Sequence, residues 1–379
     1  MRNKINVLVI DNSLDITGAF NAIWYCVLDL KEEVDFTFLI PEESKNDIFL
    51  SEQGFSAYKF PMKEISKNMG SNALYFPLLF SNALRLRKIL EKHSIDIVHA
   101  NDLYNMVGLV GRFGASYKLL THIRRLPNSF PSLFFNSWMA LHEKFADAIV
   151  GVSTACFVKS PTGKSQVIYD RLPLQEKYPL YEVQELREGV VKLIYLANFT
   201  FGKGQNHAVE ALARVVKKCN LKNVHLTFAG GDFGLEKNRQ FKQALIDRAG
   251  VLEINRYVSF EDKVVDVERK LKEYDIALNF SDSESFSYTC LEALHYGVPL
   301  IATDSGGPRE LFEDQESGIL VPVQDIDKMA QAIVQLATNV NLRKKFSENS
   351  REFVRSKFSK EQTSEKLGSL YKELKEQQN

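Results

Sequence analysis

Short apolar runs alternate with amphipathic helical stretches along this chain, break off once and begin again, and that pattern leaves few folds open. The opening reads as a buried strand "INVLVI", a loop ending near Gly18, a helix from Ala19 to about Leu30 and a second strand "DFTFLI". A long helical segment around Ser71 to His93 follows, then the strands "DIVHA", ending at Asn101 and Asp102, "KLLTH" and "AIVGVS". Strands separated by helices are joined by crossovers, and repeated crossovers build a parallel, doubly wound sheet.

From Pro173 to Glu188 the text "PLQEKYPLYEVQELRE" has two prolines, many charges and no core periodicity, which marks an interdomain connector. The alternation then restarts with "KLIYLA", a helix "HAVEALARVVKKC", "VHLTFAG", a helix around 235–249, "YVSF", a helix around 263–273 and "DIALNF". It continues through "LEALHYG", "PLIAT" and "ILVP" into amphipathic helices from Ile326 onward. A chain of 379 residues suits two domains of roughly 150–200 residues. The expected class is therefore α/β, with doubly wound Rossmann-like domains over 1–180 and 181–354. A C-terminal helix, about 355–379, is a candidate to pack back on the first domain. Two such domains facing each other would present their strand-end loops across one cleft.

Charge and cysteine usage remove several classes of function. Lysine plus arginine and aspartate plus glutamate are both 48, so no global field marks a nucleic-acid binder. The distribution is local: residues 51–180 hold 16 basic and 9 acidic side chains, an excess of seven positive charges suited to an anionic acceptor or membrane surface. Cys26, Cys156, Cys219 and Cys290 form no CxxC pair, which predicts reduced thiols in a cytoplasmic protein. The apolar run in "MRNKINVLVID" is too short for a signal-peptide core, and "ALYFPLLFSNAL" is well short of the ~20 residues that span a bilayer. No HExxH and no Cys/His cluster appears, and "SDSE" has no evident partner ligands, so metal-independent chemistry is expected.

The segment "LNFSDSESFSYTCLEALHYGVPLIATDSGGPREL" carries the most chemistry. A strand ends at Phe280 and a helix begins near Ser287, so the backbone N–H groups of Phe286, Ser287, Tyr288 and Thr289 suit a phosphate. Glu284 precedes the helix and Glu292 lies within it, eight residues on, a separation comparable to a nucleotide-sugar fragment. A glycosidase pair would instead flank one bond at about 5–9 Å.

The Glu-x7-Glu arrangement followed by "GVPLIATDSGGPRELFEDQESGILVP" resembles the donor-binding signature of family 4 retaining glycosyltransferases of the GT-B fold. The likeness covers most of 190–350 and is most specific in 284–322; "NVLVID", "DIVHAND" and "ADAIVGVS" extend it more weakly into the first half. It implies an acceptor-side first domain and a donor-binding second one. It also implies that Glu284 lies against the donor sugar hydroxyls near the anomeric carbon, and that Glu292 accepts hydrogen bonds from the nucleotide ribose. In "YLANFTFGKGQNHAVEA", Lys203 matches a lysine directed at the donor pyrophosphate, while Asn198 stands where the family carries an arginine. Gly18 matches a glycine-rich turn near the donor phosphates, and His122 a histidine near the donor sugar, with Arg124 an alternative occupant. Serines replace both glycines of the family's Glu-Gly-Phe-Gly at Glu284-Ser285-Phe286-Ser287, a substitution that matters if a positive φ is required there.

The activity so implied is transfer of a hexose-type sugar, with retention, from a nucleotide diphosphate sugar such as a UDP- or GDP-sugar. The acceptor is a glycan, glycolipid or other hydroxyl, in bacterial surface polysaccharide or lipopolysaccharide synthesis, and no cofactor is needed. The expected catalytic residues are Lys203, Glu284 and His122. The competing classes are a GT-B-like sugar-nucleotide epimerase, which needs no acceptor, and a catalytically silent homologue acting as a binding partner. In "THIRRLPNSFPSLFFNSWMALHEK", Arg124 and Arg125 mix with Phe130, Phe134, Phe135 and Trp138, either as core or as an acceptor or membrane-surface patch. Peripheral contact with the inner face of an anionic membrane is the expected location of such a patch, and no nucleic-acid partner is expected.

Overall fold

The computed structural model describes residues 4–63, 74–161, 163–173 and 189–378, so most of the connector predicted over 173–188 and the first residues of the helix predicted from Ser71 lie outside the described residues. Contacts divide the chain into two units, residues 1–173 with 358–379, and residues 174–357.

The first unit runs β1 (Ile5–Ile10), α1 (Gly18–Leu30), β2 (Val34–Pro41), α2 (Asn46–Glu52), β3 (Ser56–Phe60), α3 (Tyr75–His93), β4 (Ile97–Ala100), α4 (Val107–Gly111), β5 (Lys118–Ile123), α5 (Ser132–Phe145), β6 (Ala148–Gly151) and β7 (Ser165–Val167). The second runs β8 (Val191–Leu196), α6 (Gln205–Lys217), β9 (Val224–Ala229), α7 (Glu236–Val251), β10 (Val258–Glu261), α8 (Val267–Leu271), β11 (Ile276–Asn279), α9 (Tyr288–His295), β12 (Leu300–Thr303), β13 (Ile319–Val321), α10 (Ile326–Thr338) and α11 (Val340–Lys357). A last helix, α12 (Ser364–Glu376), returns to the first unit, where Leu367, Leu370, Tyr371 and Leu374 join the core built by β1, α1 and β2.

Each unit holds one parallel sheet. The strand orders are β3-β2-β1-β4-β5-β6-β7 and β10-β9-β8-β11-β12-β13. In each the order reverses beside the first strand, between β1 and β4 and between β8 and β11, where Leu193 pairs Ile276. The central strands are apolar on both faces because helices cover both: Leu193, Ile194, Tyr195, Ile276, Leu278 and Ile301 are all buried. α6 closes one face of the second sheet with Ala208, Val209, Leu212 and Val216 at helical spacing, meeting Met329, Ile333 and Leu336 of α10 in one core. Ligands of such sheets bind at the carboxyl ends of the strands beside the reversal.

Candidate active site

At the reversal of the second sheet, the loop after β8 and the loop after β11 meet backbone to backbone. Gly204, at φ +76°, makes this contact possible: a Cβ there would lie 1.9 Å from the Phe280 carbonyl oxygen. Gly307 allows the same on the other side, since its Cβ would meet the Ser285 oxygen at 2.3 Å. The approach sets Lys203 against Glu284, with Nζ donating to Oε1 at 2.7 Å, and the Ser281 hydroxyl donates to the same oxygen at 2.9 Å. Glu284 itself is fixed through its backbone, which donates to the Ser305 carbonyl at 3.0 Å and accepts from the Gly307 amide at 2.7 Å. The Glu284 carboxylate is the main cause that raises the Lys203 ammonium above its ordinary value, so the lysine stays charged.

α9 starts one residue beyond Ser287. Ser287 adopts φ +90°, the region the glycine-for-serine comparison made the test of this loop, and its hydroxyl caps the helix by accepting from the Cys290 amide at 3.4 Å. The same oxygen accepts from Asn279 Nδ2 at 3.1 Å. Phe286 is buried, with the Tyr288 ring edge-on to it at 5.9 Å, and Thr289 Oγ1 lies 3.4 Å from the Ser287 hydroxyl. Strain and cap predict opposite mutants. Ser287→Ala keeps the positive φ and loses the cap, and should lower stability by about 1 kcal/mol. Ser287→Gly relieves the strain at a cap cost of a few tenths, and should equal or exceed the wild type. Urea titration checks the order; an alanine variant as stable as the glycine one contradicts it.

Glu292 is half-buried in α9 and has no side-chain hydrogen bond or ion pair among the described residues. Burial pushes its carboxyl up to about 7. It shares a neighbourhood with the other two charges: the buried Cys290 thiol, raised to about 12 chiefly by burial, feels Glu284, Lys203 and Glu292. A carboxyl group without a side-chain partner can accept from hydroxyl donors, and the start of α9 and the Lys203 ammonium can each attract an anion.

The remaining sequence candidates lie elsewhere or have other partners. Asn198 accepts the Gly231 amide on its side-chain oxygen at 3.0 Å, and its own carbonyl accepts from Gln205 Nε2 at 3.0 Å, so it ties the ends of β8 and β9 together. Gly18 opens α1 in the first unit, behind the Thr17 cap. His122 sits inside β5 of that unit, 2% exposed, stacked on His99 with ring centroids 5.4 Å apart. Burial, then the Arg124 charge, hold its imidazole well below the ordinary value and hence neutral. Arg124, its alternative, is also buried, with NH1 donating to both Asp170 oxygens at 2.8 and 2.9 Å. Of the aromatics after it, Phe135 and Trp138 are core, whereas Arg125 stacks over Tyr104 at 4.6 Å near the surface. The side chain that sequence reasoning missed is Tyr195, whose hydroxyl lies between the two site loops. The available signal was a phenol in the otherwise aliphatic run "LIYL", since a buried tyrosine hydroxyl needs a partner.

Two doubly wound parallel units, each with one order reversal in its sheet, have the architecture of the GT-B fold. A solved structure of Anabaena Alr3699/HepE in complex with UDP and glucose superimposes with a TM-score of 0.77 at 19% identity, over 96% of this chain and 98% of that one. Residues 180–353 match the family described as Glycosyl transferases group 1. In sequence the chain is similar to N-acetyl-alpha-D-glucosaminyl L-malate synthase of Bacillus anthracis, 25% identical over 337 residues and 82% of each chain. It is also similar to the lipopolysaccharide core biosynthesis glycosyltransferase LpsE of Rhizobium meliloti, 29% identical over 166 residues, 44% of this chain and 45% of that one.

Proposed function

We propose that the protein transfers a hexose-type sugar, with retention, from a nucleoside diphosphate sugar to a hydroxyl of a glycan or lipid-linked acceptor in bacterial surface polysaccharide or lipopolysaccharide synthesis. The observation that carries this is the Lys203–Glu284 pair, 2.7 Å apart beside the N-terminus of α9, with the unpartnered Glu292 on the same helix. Glu292 receives the ribose hydroxyls, the amides of Phe286 to Thr289 and Lys203 receive the diphosphate, and the second oxygen of Glu284 faces the sugar. The bond from the anomeric carbon to the diphosphate oxygen breaks, the acceptor oxygen attacks from the same face, and its proton passes to the departing diphosphate. Negative charge grows on that group as the bond opens, where one ammonium and several amides stabilise it without a divalent ion.

The reading is tested by incubating the protein with UDP- and GDP-sugars and an acceptor panel and assigning the product anomer by NMR. Retained configuration with EDTA present supports it; an inverted product, or a 2-epimer formed without acceptor, overturns it.

One surface of α3 supports contact with an anionic membrane as part of this reading. α3 exposes Phe76, Phe80 and Leu84, four residues apart and each about 60% accessible, with Arg85 and Lys88 exposed on the next turn. An apolar stripe beside basic side chains, in a sequence region with seven excess positive charges, fits an anionic bilayer. Among the described residues no helix is long and apolar enough to cross one. Phosphatidylglycerol vesicles should sediment the protein in low salt and release it in about 0.5 M salt, beyond the range of surface electrostatics. Phe80→Asp should abolish the sedimentation, and equal partitioning of that variant and the wild type rules the surface out.

A further inference from the structure

We infer that Tyr195 is a positioning residue for the transfer, holding Lys203 at the diphosphate; this rests on the donor reading given above. Tyr195 lies in β8 with its ring fully in the core, against Phe228 at 5.7 Å and edge-on to Phe280 at 6.2 Å. Those contacts leave the ring one orientation, and the hydroxyl emerges between the two site loops. There it donates to the carbonyl of Lys203 at 2.5 Å and accepts the amide of Phe280 at 2.6 Å. One oxygen thus joins the backbone of the residue that carries the ammonium to the start of the loop that carries Glu284. The Ser281 hydroxyl reaches the same Lys203 carbonyl only at 3.4 Å and is engaged with Glu284.

The loop needs such a fixture. Lys203 lies between Gly202, at φ +88°, and Gly204, at φ +76°, and glycine on both sides leaves its backbone little intrinsic preference. The Lys203 amide donates to the Thr200 carbonyl at 3.1 Å and the Gly202 carbonyl accepts from the Asp282 amide at 2.9 Å, but these partners belong to the loops themselves, whereas stabilisation of a developing charge requires a position preset by the rigid core. Tyr195 supplies the restraint from the rigid strand, and burial holds its phenol in the protonated, donating form.

The test is a double-mutant cycle on release of nucleoside diphosphate from whichever UDP- or GDP-sugar stabilises the protein most, with water as acceptor. Tyr195→Phe keeps the ring and removes the bridge. The expected result is a kcat lower by roughly 10- to 100-fold, as for misplacement of a charge by about an ångström, with the donor KM within about twofold. In a Lys203→Ala background the same change should cost less than about twofold, because there is no ammonium left to position. A merely structural tyrosine would give equal losses in both backgrounds, and that result overturns the proposal, as does an unchanged kcat in Tyr195→Phe alone. Near-native turnover by Lys203→Ala is a different failure, that of the donor reading itself. The buried Phe280 amide left unpaired, and the Lys203 carbonyl left with only the Ser281 hydroxyl at 3.4 Å, destabilise the variant, so its folding is checked by its melt and, where required, the rates are taken in trimethylamine N-oxide with all four proteins alike.

Discussion

Lys203→Ala is expected to slow the chemical step by roughly 10²–10³-fold, the usual loss for one preset electrostatic contact to a leaving group. The geometry makes the effect large because the position where the family carries an arginine is Asn198, whose side chain is neutral and bound to the Gly231 amide. No second cation is thus supplied from that loop position. The pairing with Glu284 does not neutralise the role: one N–H of the ammonium meets Oε1 and two remain for the diphosphate. Single-turnover measurement at saturating donor separates this from binding, and a near-native rate would mean that the diphosphate is stabilised elsewhere.

Glu292 should make stability fall with rising pH, opposite to most carboxylates, while donor affinity rises over the same range. Its folded value, about 7, lies above the ordinary 4.5, so between those values the folded protein binds more protons than the unfolded chain. Stability therefore falls as pH rises through that window. Glu292→Gln should match the wild type below pH 4.5 and exceed it above pH 7, by on the order of 1–3 kcal/mol. Ribose hydroxyls donate to the ionised form, and neither phosphate of a nucleoside diphosphate sugar titrates in this range. Donor affinity should then rise roughly tenfold from pH 6 to 8 in the wild type, following the ionised fraction, and be weak and flat in the glutamine variant. Calorimetric titration at three pH values decides; a flat wild-type profile removes Glu292 from the ribose.

Most of the fold was legible because the buried central strands are continuous apolar runs. "INVLVI", "KLIYLA" and "DIALNF" became β1, β8 and β11 within a residue or so at each end. β3 was not read, since as an edge strand it buries only Phe60 of "SAYKF" and shows no apolar run. The helix predicted over 263–273 is only α8, five residues, because a charged stretch without an apolar face gains little from packing. At the site, the glycines flanking Lys203 and the Glu-x7-Glu spacing were visible in the sequence. The contact between Lys203 and Glu284, 81 residues apart, was not, because it depends on β8 and β11 being neighbours across the order reversal. His122 shows the opposite limit. A histidine at a strand end and one inside the strand are a residue or two apart in sequence, and in β5, covered on both faces, every residue from Leu119 to Ile123 is buried, so the packing over the sheet and not the pattern along the strand decides.

Binding of a nucleoside diphosphate sugar by the second unit at Lys203, Glu284 and Glu292 should be visible in thermal unfolding with a panel of UDP- and GDP-sugars. At 100 times its dissociation constant a ligand adds about 2.7 kcal/mol, which for a unit of this size raises the melting temperature by roughly 5–10 °C. Such a shift is expected for at least one nucleotide sugar with the wild type, and a clearly smaller one at the same concentration with Glu292→Ala. No shift from any member of the panel, or an equal shift in the wild type and in a folded Lys203→Ala, Glu292→Ala double variant, contradicts it.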